Sequence, residues 1–319
     1  MKNKVLKTLS GIAIIALILG ASIFVITKFA GNKNSARIIS SNFVGYDFAR
    51  AVTGDKSEVS MLLKPGAEAH DFEPTPEDII NIKNADLFIY VGGESDEWVE
   101  RLLEGNEIPA EKTLRLMDLV EVKEEELSEG MEEHEHEHNE EDHEEYDEHI
   151  WTSPLNAIQL VNGIKTKLST IHPENKSTYT QNADNYTSRL LAIDQKIRDV
   201  VSSSPKKELI FGDRFPFRYF VDEYDLNYYA AFPGCSEQTE ASSQTIAFLI
   251  DKAKEDNIKT ILKIELTSDK LAKTIAEETS AKVLTLNAAH NISKEDFESG
   301  LTYINIMEAN IDVLKEALK

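Results

Sequence analysis

Apolar and polar positions change period many times along the 319-residue chain, and the changes mark its elements. Short apolar runs at Ala36–Asn42, Val59–Leu63 and Leu87–Val91 read as buried strands. Between them, Phe43–Thr53 carries Val44, Phe48, Ala51 and Val52 at helical spacing. Thr75 precedes Pro76, with Asp78 three residues on, so an N-cap and a proline in the first turn start a helix that Ile79, Ile80 and Ile82 continue to about Asn84. A further amphipathic helix is predicted from Leu155 to about Thr170. Pro173 opens the longest helical pattern, which runs to about Ser202 with Tyr179, Ala183, Tyr186, Leu190, Ile193, Ile197 and Val200/Val201 on one face; Pro205 ends it.

The rhythm then repeats. Strands are predicted at Leu209–Gly212, Tyr228–Phe232, Thr260–Glu265 and Lys282–Leu286. Helices are predicted at Pro216–Tyr224, Ser243–Asp256 and Ser268–Thr279, with one C-terminal helical pattern over Lys294–Leu318. Strands that alternate with helices imply an α/β fold: two α/β lobes with mostly parallel sheets, joined by one long rigid helix. The expected division is residues 36–172 for the first lobe, 173–203 for the linker helix and 204–319 for the second lobe.

Two segments break this pattern. At the N-terminus, Lys2, Lys4 and Lys7 precede an uncharged run from Thr8 to Thr27. That run matches the roughly 20 residues a bilayer core requires, and the flanking lysines favour a cytoplasmic N-terminus. No cysteine follows it as a lipid attachment point, so residues 1–35 are read as an uncleaved signal anchor, with a cleaved signal peptide as the alternative. The chain is then expected at the cell membrane with its folded part outside. The second segment, residues 121–148, holds 16 acids and one lysine, a local −15 within a chain total of −23. It has almost no apolar content, and from Val122 to Asp147 it is expected to be disordered without a ligand.

Composition narrows the function. A chain this acidic lacks the Lys/Arg surplus that nucleic-acid binding needs. Cys235 is the only cysteine, which excludes an internal disulfide, a Cys-rich zinc site and an iron–sulfur ligand set. No Walker-type phosphate loop and no G-x-S-x-G elbow occur, and Gly92-Gly93 reads as a tight strand end.

The histidines carry the remaining signal. His70 lies in a Pro/Gly-rich loop after a predicted strand, and His149 lies in Asp147-Glu148-His149-Ile150-Trp151 at the far edge of the acidic segment. His290 follows the last predicted strand, whereas His172 precedes Pro173 as a capping or surface residue. Loops at strand ends are where α/β folds place ligand groups, and imidazole is a favoured zinc donor. An exposed histidine with no ligand role fits the same spacing. Asp213 and Glu265 stand at predicted strand ends and could add an oxygen, although such acids often only bind loop amides. His134, His136, His138 and His143 alternate with glutamates, and His134–His138 formally match H-E-x-x-H. That motif needs a helix with a buried face, which is absent, so the segment reads as a flexible, exchangeable metal trap; a solvated spacer is the plainer alternative.

Several ordered stretches together resemble the zinc/manganese substrate-binding proteins of ABC importers. They are "PGAEAHDFEPTPEDI", "NADLFIYVGGESDEWVE", a His/acid-rich insertion leading into "DEHIWTSPLNA", "IFGDRFPFRYFVDEYDL" and "TIAEETSAKVLTLN", and the likeness covers nearly all of residues 36–319. The resemblance implies one metal in an interlobe cleft, with His70 and His149 as two histidine ligands. It also implies a membrane permease as partner, no enzymatic activity and a monomeric chain. The position of the family's third histidine is Arg214, which cannot bind a cation, and that of its acidic ligand is Asn287. The expected ligand set is therefore His70, His149 and His290, completed by Asp213 or Glu265. Three imidazoles favour Zn2+ over Mn2+, which prefers more oxygen donors. The competing readings are a manganese importer component, a zinc-dependent hydrolase and a zinc-binding adhesin on the same fold.

Overall fold

The computed structural model describes residues 36–69, 72–105, 108–131, 146–235 and 241–319. The N-terminal apolar run, His70 and the insertion histidines His134, His136, His138 and His143 lie outside them. Among the described residues, no helix is long and apolar enough to cross a membrane.

The first lobe is a four-stranded sheet of β1 (Ala36–Ser40), β2 (Ser57–Met61), β3 (Leu87–Tyr90) and β4 (Thr113–Arg115), in the order β2-β1-β3-β4. Its connecting helices are α1 (Phe43–Thr53), α2 (Pro76–Asn84) and α3 (Glu97–Glu104). In β1 and β3, Ile38 faces Leu87 and Ile39 faces Phe88 in parallel register. β3 is buried along its whole length, as a run of Leu-Phe-Ile-Tyr requires when helices cover both faces. At the start of α2 the Thr75 side chain takes the Asp78 amide, while Asp78 takes the Thr75 amide, a reciprocal capping box.

The second lobe has β5 (Glu208–Phe215), β6 (Asn227–Pro233), β7 (Thr260–Lys263) and β8 (Lys282–Thr285), in the order β6-β5-β7-β8 and all parallel. Helices α6 (Arg218–Tyr224), α7 (Ser243–Glu255) and α8 (Lys270–Thr279) connect them. Between the lobes run α4 (Pro154–Ile171) and the 28-residue α5 (Lys176–Ser203), about 42 Å long at 1.5 Å per residue. Tyr179, Ala183, Leu190, Ile193, Ile197, Val200 and Val201 form the buried face of α5, at the spacing the sequence shows. His172 caps the end of α4.

Three differences from the sequence pattern have local causes. The C-terminal pattern is two helices, α9 (Lys294–Ser299) and α10 (Tyr303–Ala317), because Gly300 takes a left-handed φ of 79° and Thr302 opens a new capping box. Strand β4 is too short to show a period, whereas α3 carries Trp98, Val99, Leu102 and Leu103 on one face, a helical spacing absent from the elements predicted above. The ends of the acidic segment, Val122–Met131 and Tyr146–Asp147, lie against the second lobe: Lys123 pairs with Asp222 at 2.8 Å and Arg218 with Glu126 at 3.1 Å. Those partners are distant in sequence, so a local reading of polarity could not find them.

Candidate metal centre

Both sheets present their C-terminal strand ends to one cleft. Ser41 and Asn42 follow β1, Val91–Ser95 follow β3, Arg214 ends β5, Gly234 and Cys235 follow β6, and His290 follows β8. This is the edge where open α/β sheets bind ligands.

His149 starts a 3-10 turn, Ile150–Thr152, and is fully buried. Its Nδ1 lies 3.2 Å from Asp147 Oδ1, and its backbone amide donates to the same oxygen at 2.7 Å. Asp147 is fixed in turn by the Tyr219 hydroxyl, which donates to its carbonyl at 2.7 Å, and by its own amide donating to Lys123 O at 2.9 Å. A carboxylate at Nδ1 assigns the proton to that nitrogen and leaves a lone pair on Nε2. Nε2 is buried and has no hydrogen-bond partner among the described residues, the environment of a metal donor rather than of a resting core histidine. Burial alone would depress the His149 pKa; the charge and hydrogen bond of Asp147, helped by Glu148 and Glu125, outweigh it and raise the net value.

His290 approaches from the second lobe. Its ring centroid is 5.0 Å from that of His149, at 88°, and its Nε2 is 4.0 Å from Glu148 Oε1. Ala289 before it takes a left-handed φ of 57°. Asn287 holds this turn: its side chain accepts from the Ala289 amide, and Asn310 bonds its backbone N–H and C=O. Glu265 completes the support by accepting from the amides of Ala288 (2.7 Å) and His290 (2.9 Å). Burial raises the Glu265 pKa, and those amide bonds oppose it.

Glu148 is the third member. One ligand atom each from Glu148, His149 and His290 lies within 4.8 Å of the others, and all three residues are buried. Ser95 grips the Glu148 carboxylate, its amide donating to Oε2 at 2.9 Å and its hydroxyl to Oε1. Gly93 makes the room: a Cβ there would stand 2.2 Å from Glu148 Cβ. Beside them Asp96 is buried and accepts from the amides of Val91 (2.6 Å) and Gly92 (3.3 Å) and from Ser41 Oγ (3.1 Å). Burial first, and the Glu148 charge second, push the Asp96 carboxyl up to about 7. A cavity of about 20 Å3 lined by Ser95, Asp96, Glu148, Trp151 and His290 adjoins the donors, enough for one ion or water.

The sequence-predicted residues thus separate. His149 and His290 meet. His70 and the insertion histidines lie outside the described residues. Asp213 and Glu265 are not among the residues whose ligand atoms cluster with those of His149 and His290. Asp213 accepts from the Ile264 amide (3.1 Å), the Thr267 hydroxyl and the Arg214 amide (2.8 Å), so both acids brace loops instead of offering free oxygens. Glu148 was missed because it closes an acidic low-complexity run. Its position beside His149 and two residues before the apolar Ile150-Trp151 is the available sign that it goes inside. Cys235 is close by, but burial and the surrounding carboxylates hold its thiol pKa well above the ordinary value, so it stays a neutral thiol.

Three comparisons agree on the relationship. The family described as "ZnuA: Zinc-uptake complex component A periplasmic" matches residues 38–317. The High-affinity zinc uptake system protein ZnuA of Bacillus subtilis (strain 168) is 37% identical over 314 residues, covering 93% of this chain and 95% of that protein. The structure of the metal-dependent lipoprotein YcdH from B. subtilis superposes with a TM-score of 0.75 at 31% identity, over 89% of this chain and all of that one. The Zn(II)-bound ZnuA-like domain of Streptococcus pneumoniae AdcA gives a TM-score of 0.73 at 28% identity, over 89% of this chain and 99% of that domain.

Proposed function

The chain belongs to the ZnuA family of zinc-uptake components, and we propose that it captures zinc outside the cell membrane and delivers it to an ABC permease. The observation that carries this reading is the buried, unpartnered Nε2 of His149 beside Glu148 and His290. His149 and His290 supply two nitrogens and Glu148 one oxygen, and His70 is the fourth donor. Three neutral imidazoles and one carboxylate make a compact nitrogen-rich set, which suits tetrahedral zinc better than oxygen-seeking manganese.

Zinc–nitrogen bonds near 2.0–2.1 Å place tetrahedral donors roughly 3.3 Å apart. His290 comes from the second lobe and Glu148 and His149 from the first, with His290 Nε2 4.0 Å from Glu148 Oε1, so a bound ion ties the two lobes together. Release is the reverse step: a small opening at the permease separates His290 from the other donors. The bases that a hydrolase would need at Asp213 and Glu265 are occupied by loop amides, which favours a carrier over an enzyme. The N-terminal apolar run keeps the carrier, a monomer, at the membrane. The insertion histidines His134, His136, His138 and His143 gather zinc near the cleft.

Competitive titration with zinc and manganese tests the reading on the wild type and on His149→Ala and His290→Ala. One tight zinc per cleft that both variants abolish is expected. Manganese outcompeting zinc at equal concentration, or undiminished tight binding in His290→Ala, overturns it.

A further inference from the structure

Arg214 stands at the cleft end of β5, where the family resemblance leads one to expect a histidine. Its guanidinium cannot ligate a cation. It reaches across the cleft instead: Nη2 lies 3.2 Å from Glu68 Oε2, and the arginine side chain is only 12% exposed against 42% for the glutamate. Glu68 belongs to the loop that follows β2 and leads, two residues later in sequence, to His70. A second residue of the same lobe holds that loop. The Asn291 side-chain amide donates to Lys64 O at 3.2 Å and also to Ala67 O, and Asn291 directly follows His290. Apart from Leu63 and Ala69 at its ends, the loop buries little, so cross-cleft polar contacts are its main restraint.

We propose that Arg214 is a positioning residue. Its ion pair with Glu68 holds the loop that carries His70 against the second lobe before metal arrives. A metal-bound histidine on β5 would link the lobes only in the loaded state, whereas the Arg214–Glu68 pair links them in both. The loop is then ordered in advance, and less freedom is lost when the ion binds. The same pair cancels a positive charge that would otherwise face the incoming cation. The inference rests on the zinc-capture reading for its effect on metal, and on the cross-cleft contacts alone for its effect on the empty protein.

Charge and positioning make opposite forecasts. Electrostatics alone says that Arg214→Ala, by removing a cation, tightens zinc. Positioning says that it loosens zinc. The test compares the full-length wild type, Arg214→Ala, Glu68→Gln and the swap Arg214→Glu/Glu68→Arg. It measures zinc dissociation by chelator competition, the visible spectrum of the Co2+ form, and hydrogen exchange over residues 64–69 without metal. Glu68→Gln lies at a half-exposed side chain and guards against a mere folding defect. The single variants are expected to release zinc about 2- to 10-fold faster, to exchange faster over the loop when empty, and to keep the wild-type Co2+ spectrum; the swap restores slow release. Unchanged exchange together with equal or tighter zinc in Arg214→Ala overturns the proposal, as does a Co2+ spectrum altered like that of His290→Ala. A wild type that fails to bind zinc sinks the zinc-capture reading, while the metal-free exchange still decides the latch.

Discussion

The Nδ1 of His149 faces the Oδ1 of Asp147 at 3.2 Å, and the opposite ring nitrogen is buried with no hydrogen-bond partner among the described residues. The carboxylate sets which nitrogen holds the proton and how the ring is turned, so it acts on the metal through the histidine. Asp147→Asn is expected to lower zinc affinity about 10- to 100-fold, the usual cost of losing such support. Its thermal midpoint without metal should stay near that of the wild type, since the Tyr219 bond goes to the Asp147 backbone. Zinc competition titration and a metal-free melt check both parts. An unchanged affinity would mean that the ring is held in place by packing alone.

Glu148 touches the ion itself in the proposed site, so its removal should cost more. Glu148→Gln keeps the shape and loses the charge, and its zinc affinity should fall by more than about 100-fold, beyond what a supporting residue costs. Ser95→Ala removes one of the two donors that Ser95 gives to Glu148 and should show a smaller loss. Reversal of that order would move Glu148 out of the ligand set.

Much of this was legible in the chain. The α5 face and the Thr75 cap follow from period and capping chemistry, which are local, and His290 follows the last strand as the pattern predicts, whereas His149 sits at a 3-10 turn after the insertion and not at a strand end. What stayed hidden depends on contacts between residues far apart in sequence. Glu265 reads as a ligand at its strand end and becomes a brace only once the Ala288 and His290 amides are folded over it. Glu148 reads as the last of a run of solvated acids, and only the Ser95 donors and the missing Cβ of Gly93 make a buried carboxylate tenable there. Arg214 announces that a histidine is missing, but its partner Glu68 is 146 residues away.

Changes of pH act on two quantities in opposite senses. The Asp96 carboxyl titrates at about 7 in the folded protein against 3.8 unperturbed, so between those values the folded chain holds a proton that the unfolded chain has released. Stability of the metal-free protein should therefore fall as pH rises from about 4 to about 7 and level off beyond, and Asp96→Asn should remove this component. Zinc affinity should move the other way. The raised pKa of His149 makes protons compete with zinc from above the ordinary histidine range, so affinity drops as pH falls. Urea unfolding at several pH values measures the first, and zinc titration over the same range the second. A metal-free stability that rises from pH 4 to 7 in the wild type but not in Asp96→Asn would contradict the Asp96 assignment.

The acidic insertion should divide into a structural root and a dispensable centre. Its root is joined by the Asp147 amide to Lys123 O and by the Glu124–Tyr146 bridge, and it is fastened to the second lobe through Asp222, Arg218 and Tyr228. Deletion of residues 132–145 leaves those contacts in place. The shortened protein should keep the cleft affinity within about threefold, well below the loss expected when an outer support goes, while weak additional zinc binding disappears. Isothermal titration gives both numbers. Lys123→Ala/Arg218→Ala should do the converse, loosening the segment that carries Asp147 and weakening the cleft with the insertion intact.

Gly93 offers the sharpest steric test of where Glu148 sits. An added methyl would meet Glu148 Cβ at 2.2 Å and Oε2 at 2.4 Å, both inside van der Waals contact and neither at the end of a freely swinging side chain. The clash can be relieved only by moving Glu148 away from Ser95 or by shifting the β3 loop that carries Ser95 and Asp96. Gly93→Ala should therefore destabilise the protein by about 1–3 kcal/mol, the typical cost of overpacking, and weaken zinc binding at the same time. The pair Gly93→Ala/Glu148→Gly separates the causes, because removing the Glu148 Cβ together with its carboxylate clears the space. Stability should recover in the double variant while zinc affinity stays low, as urea unfolding and zinc titration would show. A single variant as stable as the wild type would place Glu148 elsewhere.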